Sequence, residues 1–365
     1  MVNRAWAVPC CLAALLGCGA ESASPGPELG SLGQRFINGE DDRLEYYELD
    51  DPAARVLMEQ SVVALVPDLL VRPLARGNLD VVSTWSDNHG LCAGEPFGDQ
   101  PAAAFCSGVL VDWDLVLTSG HCVDVFPLSR FRAVFGFYFR EPGELAVTND
   151  DVYSVEEVVL ARDETTPDGE RLDYAWLRLA EPASSPRLPV GVRARSSDVA
   201  DGEAIIAINA GGGVPFKHDG GGRIRDRRSS VNDYFVADTD TSEGSSGGPA
   251  FDEALKLVGT LARGAPDYVA TEEGCVRTDR ESDPALAREQ FTYAFRSVEG
   301  LCEVDPARWL CDASCEGCAV PPPPPSAASD DGCSFTAPRS KPSAIASAGL
   351  LMLALAALTR RRRRQ

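Results

Sequence analysis

The sequence predicts an all-β protein, in which short apolar strands follow one another over about 240 residues. The strands are rich in β-branched and aromatic residues, and Gly, Pro, Asp or Asn bounds each of them. No long amphipathic helix interrupts the series, so a sandwich or a barrel is expected. The predicted strands span residues 61–66, 106–111, 115–118, 131–139, 152–160, 174–179, 204–209, 234–237, 257–262 and 291–298.

The N-terminal segment, residues 1–17, has the layout of a secretory signal peptide. A single basic residue, Arg4, precedes an apolar run over residues 5–16 that is too short to span a membrane. The run ends in Leu-Leu-Gly followed by Cys18, which resembles a bacterial lipobox and implies lipidation of Cys18. Plain cleavage of a signal peptide stays open as the alternative.

The segment over residues 18–57 is acidic and lacks periodicity, so it is interpreted as an extended arm or a prosegment. It contains Arg-Phe before Ile37, which looks like an activation site. Ile37 lies 69 residues before Cys106, where the first long strand begins, which is too far for such a site, so the motif is interpreted as a decoy and an inhibitory prosegment stays open. The main domain is predicted over residues 58–300.

The C-terminal part is predicted to lift this domain from a surface. A cysteine-rich patch over residues 301–320 precedes a proline-rich stalk over residues 321–332. Residues 333–365 begin at Cys333 and combine a polar spacer, an apolar stretch and a run of arginines. This layout resembles the myxobacterial MYXO-CTERM sorting signal, which implies cleavage near Cys333 and anchoring at the cell surface. A permanent membrane span is the alternative.

Charge and cysteine content restrict the partners and the compartment. The formal net charge is −21. All charged residues in the two terminal segments are basic, so the net charge of the central region is more negative still. Nucleic acid is therefore excluded as a partner, and membrane contact is expected only through the terminal anchors. Twelve cysteines indicate an oxidising compartment, and thus an exported protein.

A histidine flanked by a cysteine ends one pair of predicted strands. Cys106 begins the pair, and His121 and Cys122 follow its end. A disulfide between Cys106 and Cys122 would hold the histidine rigidly at the end of its strand. The chain has only three histidines, so few groups can act as a base at neutral pH.

Two further segments carry candidate catalytic residues. Asp173 stands immediately before an alternating strand, a position that alone is typical of a turn. Ser246 lies in Glu-Gly-Ser-Ser-Gly-Gly-Pro, where flanking glycines allow the N–H groups of Gly244 and Ser246 to point at one oxyanion. Apolar strands enclose this loop closely, which disfavours a flexible linker.

In this order, the three segments resemble the trypsin-like, chymotrypsin-fold serine peptidases over residues 61–298. His121 matches the histidine of the family's T-A-A-H-C motif, Asp173 the aspartate of D-x-A-L-x-x-L, and Ser246 the serine of G-D-S-G-G-P. The resemblance implies two six-stranded antiparallel β-barrels with the active site between them. Other segments look more like the bacterial branch near the glutamyl endopeptidases than like digestive trypsins.

The chain departs from the family pattern at two places. Ser245 stands where digestive members have an aspartate that pairs with a newly cut N-terminus, so the usual zymogen switch is doubtful. Ser119 and Gly120 replace two alanines before His121, a change expected to loosen the turn.

The resemblance also implies a specificity pocket. Asp240, six residues before Ser246, would lie at its base and pair with Lys or Arg of a substrate. Arg263 would stand on the pocket wall, where it could neutralise Asp240 or favour an acidic residue instead. Leu261 replaces the histidine of the glutamyl-specific relatives, which disfavours a strict preference for Glu.

The resulting hypothesis is a cell-surface serine endopeptidase, monomeric, acting on proteins or peptides without a metal or organic cofactor. The alternative is a catalytically silent domain that binds a partner through the same groove; a serine esterase fits less well, because the G-x-S-x-G elbow is absent. Cys302, Cys311, Cys315 and Cys318 are expected to form disulfides rather than a zinc site, and Cys92 and Cys275 remain as a further pair.

Overall fold

The computed structural model describes residues 37–71, 79, 81, 83–193, 199–264 and 266–312. All of them belong to one unit of the chain, Met1–Pro324. The signal segment, the proline-rich stalk and the C-terminal segment, with Cys18 and Cys333, lie outside the described residues. None of the helices within the described ranges is long and apolar enough to cross a membrane.

Strands dominate the described part of the chain, as the series of short apolar runs predicts. In chain order they are β1 (Ile37–Asn38), β2 (Val62–Pro67), β3 (Cys106–Asp112), β4 (Leu115–Thr118), β5 (Phe131–Val134), β6 (Phe139–Glu141), β7 (Glu144–Leu145), β8 (Val152–Thr165), β9 (Arg171–Leu179), β10 (Ile206–Asn209), β11 (Lys217–Asp219), β12 (Ile224–Asp226), β13 (Tyr234–Ala237), β14 (Pro249–Phe251), β15 (Leu257–Arg263), β16 (Tyr268–Ala270), β17 (Val276–Thr278), β18 (Arg280–Glu281) and β19 (Glu289–Tyr293). The all-β fold class is confirmed.

Six strands close into the first barrel, in the order β2-β3-β4-β9-β8-β5. β4 ends at Thr118, and a short 3-10 helix, Gly120–Asp124, follows it. β4 and β9 are antiparallel neighbours in which Thr118 lies opposite Ala175. The end of β4 therefore lies beside the start of β9, and this register brings His121 close to Asp173.

Seven strands form the second sheet, in the order β11-β10-β14-β15-β19-β13-β12. The structure thus has one closed barrel and one curled half-barrel sheet of seven strands, which is consistent with the expected two-barrel, chymotrypsin-like fold. The edge strands of this sheet, β11 and β12, have three residues each. The segment between them contains three glycines, at residues 220–222, and glycine weakens strand pairing. Ser246 lies in the turn directly before β14, so this sheet carries the serine loop.

Three α-helices complete the described fold: α1 (Pro52–Gln60), α2 (Trp85–His89) and α3 (Ala294–Val304). The strand predicted over residues 291–298 is wrong beyond Tyr293, where α3 begins. Its buried residues recur at helical spacing, at Ala294, Ser297, Gly300 and Leu301. Trp176 of β9 donates an indole hydrogen bond to the carbonyl of Ser297, so the helix supports the strand that carries Asp173.

Residues 37–57, the described part of the predicted arm, pack into the main fold. Ile37 is fully buried, and β1 pairs with β18 in parallel. The carboxylate of Glu45 lies 3.4 Å from the ammonium of Lys217, and both side chains are almost completely buried. The described part of the arm therefore contributes core residues and a buried ion pair to the domain.

Three disulfides are present among the described residues. Cys106–Cys122 closes a short segment around His121, and Cys92–Cys275 joins positions 183 residues apart. Cys302–Cys311 removes two of the four cysteines that a zinc site in the cysteine-rich patch would need. The other two cysteines of that patch lie outside the described residues.

Candidate active site

The backbone before His121 is held against its neighbours at close range. A β-carbon on Gly120 would lie 1.9 Å from the carbonyl oxygen of Arg162, so only glycine fits there. The hydroxyl of Ser119 donates a hydrogen bond of 2.5 Å to the carbonyl of Leu261. The expectation that these two residues loosen the turn is wrong, because together they tie it to two other strands.

Asp173 is the buried partner of this turn, with only 1% of its side chain exposed. One carboxylate oxygen, Oδ1, accepts backbone hydrogen bonds from Gly120 at 2.7 Å and from His121 at 3.2 Å. The other, Oδ2, lies 2.9 Å from Nδ1 of His121. The carboxylate therefore orients both the backbone and the ring of His121, and the second ring nitrogen, Nε2, remains for another partner.

Opposing effects act on the imidazole, whose side chain is 36% exposed. Burial lowers the pKa of His121, because it disfavours the charged ring. The hydrogen bond and the charge of Asp173, with the charge of Asp163, raise the pKa, whereas the charge of Arg263 lowers it. The carboxylates prevail, and the pKa of His121 lies above its ordinary value of 6.5.

The loop that carries Ser246 packs directly on the strands next to His121. A β-carbon on Gly247 would lie 2.2 Å from the carbonyl oxygen of Ser107 and from the hydroxyl of Thr118. The carbonyl of Ser246 accepts a hydrogen bond of 2.7 Å from Ser107 N–H and lies 3.8 Å from the sulfur of Cys122. Ser246 itself is partly exposed. The structure therefore brings the serine loop against the turn that holds His121.

Two peptide groups of this loop turn their carbonyls inward. The carbonyl of Glu243 accepts from Gly212 N–H at 2.6 Å, and that of Ser245 accepts from Gly248 N–H at 2.7 Å. In a trans peptide the N–H points opposite to the carbonyl, so the N–H groups of Gly244 and Ser246 point away from these contacts. Neither N–H has an acceptor among the residues that the structure describes. Both are available to an external oxygen.

The His121 ring and the sulfurs of Cys106 and Cys122 lie close enough to be considered as metal ligands. The two sulfurs are bonded to each other, so neither is the thiolate that a metal requires. This cluster is therefore not a metal site by its donor chemistry.

The sequence around these groups matches a known family. Residues 106–259 match the family model of the trypsin-like peptidase domain. The match includes His121, Asp173 and Ser246, and it supports a peptidase. The placement near the glutamyl endopeptidases stays a prediction. No curated protein matches the chain.

Solved structures similar to this chain include bacterial proteases. The active form of the Rv3671c protease of M. tuberculosis is 17% identical, with a TM-score of 0.38 over 70% of this chain and 86% of that one. The VesB protease of Vibrio cholerae is 15% identical, with a TM-score of 0.42 over 73% of this chain and 67% of that one.

Asp240, the expected base of a specificity pocket, is 3% exposed. Its Oδ1 accepts a backbone hydrogen bond of 2.7 Å from Asn38, and its own N–H donates to the carboxylate of Asp219 at 2.7 Å. Its Oδ2 has no hydrogen-bond partner within the described ranges. Burial raises the pKa of Asp240 to about 7, although the hydrogen bond from Asn38 opposes this shift. Burial thus favours the neutral form of this carboxyl.

The guanidinium of Arg263 does not pair with Asp240, the partner considered from the sequence, but with two other carboxylates. Its Nη2 lies 3.1 Å from Asp163 and 3.6 Å from Asp173. The possibility that Arg263 neutralises Asp240 is therefore wrong, since its guanidinium is engaged beside His121.

A carboxylate that sequence reasoning missed lies on β19. Glu289 is 2% exposed and accepts a hydrogen bond from the hydroxyl of Thr241, five residues before Ser246. A β-carbon on Gly264 would lie 2.5 Å from its Oε2, so the absence of a side chain there makes room for the carboxylate. The one available signal was an acidic residue two positions before the predicted strand that begins at Phe291.

Proposed function

We propose that this protein is a serine endopeptidase in which Ser246 is the nucleophile, His121 the general base and Asp173 the group that orients the base. The observation that carries the proposal is the 2.9 Å contact between Asp173 Oδ2 and His121 Nδ1. This contact favours the tautomer with a proton on Nδ1, so that Nε2 can accept a proton. The matched trypsin-like peptidase domain supports the same assignment.

The proposed reaction has two halves. His121 Nε2 takes the proton of the Ser246 hydroxyl while Oγ forms a bond to the substrate's carbonyl carbon, and the C=O electron pair moves to the oxygen. The N–H groups of Gly244 and Ser246 donate hydrogen bonds to that oxyanion. The protonated ring then gives its proton to the departing amine, which leaves an acyl-enzyme. In the second half, His121 takes a proton from a water molecule while the water oxygen attacks the carbonyl carbon of the acyl-enzyme. The protonated ring then gives its proton to Ser246 Oγ as the C–O bond breaks, and the carboxylic acid leaves.

The raised pKa of His121 determines the direction of the pH dependence. The base must be neutral to accept a proton, so activity is expected to rise with pH through the pKa of His121, above pH 6.5. The carboxylate of Asp173 also stabilises the imidazolium that forms during each step.

The decisive test is active-site labelling combined with hydrolysis of a peptide mixture. A fluorophosphonate should label the purified protein and stop its hydrolysis, and Ser246→Ala should remove both. Ser229→Ala, in an exposed turn, is the matched control and should behave like the unaltered protein. A folded protein that neither binds the label nor cleaves peptides would overturn the proposal and favour the silent binding domain. Hydrolysis of esters alone would favour an esterase.

We also propose that the protein is exported and held at the cell surface by Cys18 or by the segment that begins at Cys333. The support is the sequence of the two ends and the three disulfides, which form in oxidising compartments. Its partners would then be proteins or peptides outside the cell.

A further inference from the structure

Arg263 occupies a position that the proposed reaction does not use. It lies at the end of β15, and the carbonyl of Leu261, two residues earlier, accepts hydrogen bonds from Ser119 Oγ and from Gly247 N–H. The same strand is therefore bonded to the turn of His121 and to the loop of Ser246. This places the Arg263 side chain beside the two segments that carry the proposed catalytic groups.

The guanidinium of Arg263 bridges two carboxylates on neighbouring strands. Asp163 of β8 and Asp173 of β9 lie directly opposite each other in an antiparallel pair, where like charges repel. Nη2 of Arg263 is 3.1 Å from Asp163 Oδ1 and 3.6 Å from Asp173 Oδ2. A cation between the two carboxylates offsets their repulsion.

The oxygen that Arg263 approaches is the one that contacts the imidazole. Asp173 Oδ2 lies 2.9 Å from His121 Nδ1 on one side and 3.6 Å from Arg263 on the other. The guanidinium therefore shares the carboxylate with His121. It weakens the field that Asp173 exerts on the ring, and its own positive charge disfavours the imidazolium.

We propose that Arg263 and Asp163 form a charge pair that sets the basicity of His121, with Arg263 as a positioning residue for the Asp173 carboxylate. The inference rests on the proposed function for its catalytic meaning. It assigns the two residues opposite effects. Arg263 keeps the ring less basic than Asp173 alone would make it, and Asp163 acts in the other direction.

The charges around the ring support this assignment. The groups that face it are Asp173 from β9, Asp163 from β8 and Arg263 from β15, and the turn of His121 itself carries the exposed Asp124. Against burial, which lowers the pKa of His121, Asp163 raises it and Arg263 lowers it. Arg263 is 27% and Asp163 45% exposed, so water screens part of both effects.

The test is a titration of His121 by NMR, with a pH profile of kcat/KM measured in parallel. The chain has three histidines, so His89→Gln and His218→Gln variants assign the remaining imidazole signal to His121. Arg263→Gln should raise the pKa of His121 by roughly half a unit, and Asp163→Asn should lower it by a similar amount. The rising limb of the pH profile should shift in the same directions.

Two controls separate this role from a structural one. Arg263→Lys retains the cation and should keep the pKa of His121 near that of the unaltered protein. Arg225→Gln removes an exposed arginine that pairs with Asp238 and should change nothing. Circular dichroism establishes that each variant is folded.

The outcomes also separate this inference from the proposed function. Unchanged His121 titration in both folded variants, or shifts in the same direction, would overturn the charge pair. Opposite shifts in a protein without hydrolytic activity would support the charge pair and refute the peptidase, because the NMR readout needs no turnover.

Discussion

The buried hydroxyl of Ser245 donates a hydrogen bond of 2.7 Å to Oδ1 of Asn209, and its oxygen accepts one of 3.0 Å from Ser242 N–H. Ser245 stands between the two residues whose N–H groups are proposed to bind the oxyanion. In digestive relatives an aspartate at this place would need a new N-terminus. Here the N–H of Ile37 donates to the carbonyl of Asp279 instead. Neutral hydrogen bonds therefore hold Ser245 in the serine loop.

Ser245→Ala should accordingly lower both stability and turnover. The change leaves Ser242 N–H without its acceptor, which costs about 1–3 kcal/mol in the free energy of unfolding. Because the loop positions the oxyanion donors, we expect kcat to fall more than KM rises. Urea unfolding and steady-state kinetics measure the two effects. The exposed Ser230→Ala is the control, and an unfolding free energy equal to that of the control would contradict the assignment.

Ser246→Ala should abolish hydrolysis and leave the fold intact, because it removes one partly exposed oxygen and no core volume. A loss of about 10⁴-fold or more is expected for a member of a catalytic triad. Asp173→Asn should cause a similar loss, since the amide favours the wrong tautomer of His121. Active-site titration and thermal unfolding distinguish lost chemistry from lost structure. Turnover retained in purified Ser246→Ala would refute the nucleophile.

Removal of the Cys106–Cys122 bridge should lower stability and activity together. The bridge spans a sequence separation of 16, and a loop of this size is worth about 3 kcal/mol in the chain-entropy model. The double variant Cys106→Ala/Cys122→Ala also frees the turn that carries His121. Cys302→Ala/Cys311→Ala removes a bridge remote in sequence from the candidate site and should lower stability with little effect on kcat. Mass mapping that finds free thiols at Cys106 and Cys122 would disprove the pairing.

The two strands and the disulfide that hold His121 could be predicted from the sequence, because they depend on residues close together in the chain. The strands that begin at Cys106 and Leu115 are short, buried runs joined by a tight turn, and the expected bridge between Cys106 and Cys122 is present in the structure. The apolar run over residues 291–298 was misassigned because its residues fit a strand and a helix equally well. After Tyr293 the chain forms a helix, because a helix buries both Ala294 and Leu301 in the core.

Contacts between distant segments could not be predicted in the same way. Glu289 approaches Thr241 and Gly264 only because β19 pairs with β15, and no local pattern encodes that neighbourhood. Arg263 was expected near Asp240, but the register of β8 against β9 places two acidic residues nearer to it. Side-chain partners across a sheet depend on the register of strands far apart in sequence.

The predicted anchoring at the cell surface, through Cys18 or the segment that begins at Cys333, can be tested by deletion. Removal of residues 334–365 should release the peptidase into the medium if Cys18 is not lipidated, and should leave it in the membrane fraction if it is. Combined with Cys18→Ala, the deletion should release it in either case. Fractionation with an antibody against the domain measures the result. Full-length protein that is soluble in the cytoplasm would contradict both anchors.

The last prediction concerns the residue before the cut bond, where we expect a preference for Arg or Lys. Two buried carboxylates are linked to the segment before Ser246: Asp240 lies six residues before it, and Glu289 of β19 accepts a hydrogen bond from Thr241. Asp240 accepts a hydrogen bond from Asn38 N–H, and burial raises its pKa to about 7, which disfavours the charged carboxylate. Besides accepting the hydrogen bond from the Thr241 hydroxyl, the Glu289 carboxylate occupies the space that the missing side chain of Gly264 leaves. We therefore expect Glu289 to contribute more to the preference than Asp240.

A peptide library measured with single variants decides between the two carboxylates. Glu289→Gln should lower kcat/KM for Arg and Lys substrates about 10-fold or more, the loss of one hydrogen bond to a charged group. Asp240→Asn should lower it less, and the exposed Glu299→Gln should leave it unchanged. The contrary outcome is cleavage after Glu or after large apolar residues that neither Glu289→Gln nor Asp240→Asn changes. It would show that neither carboxylate selects the substrate, and it would leave the triad assignment untouched.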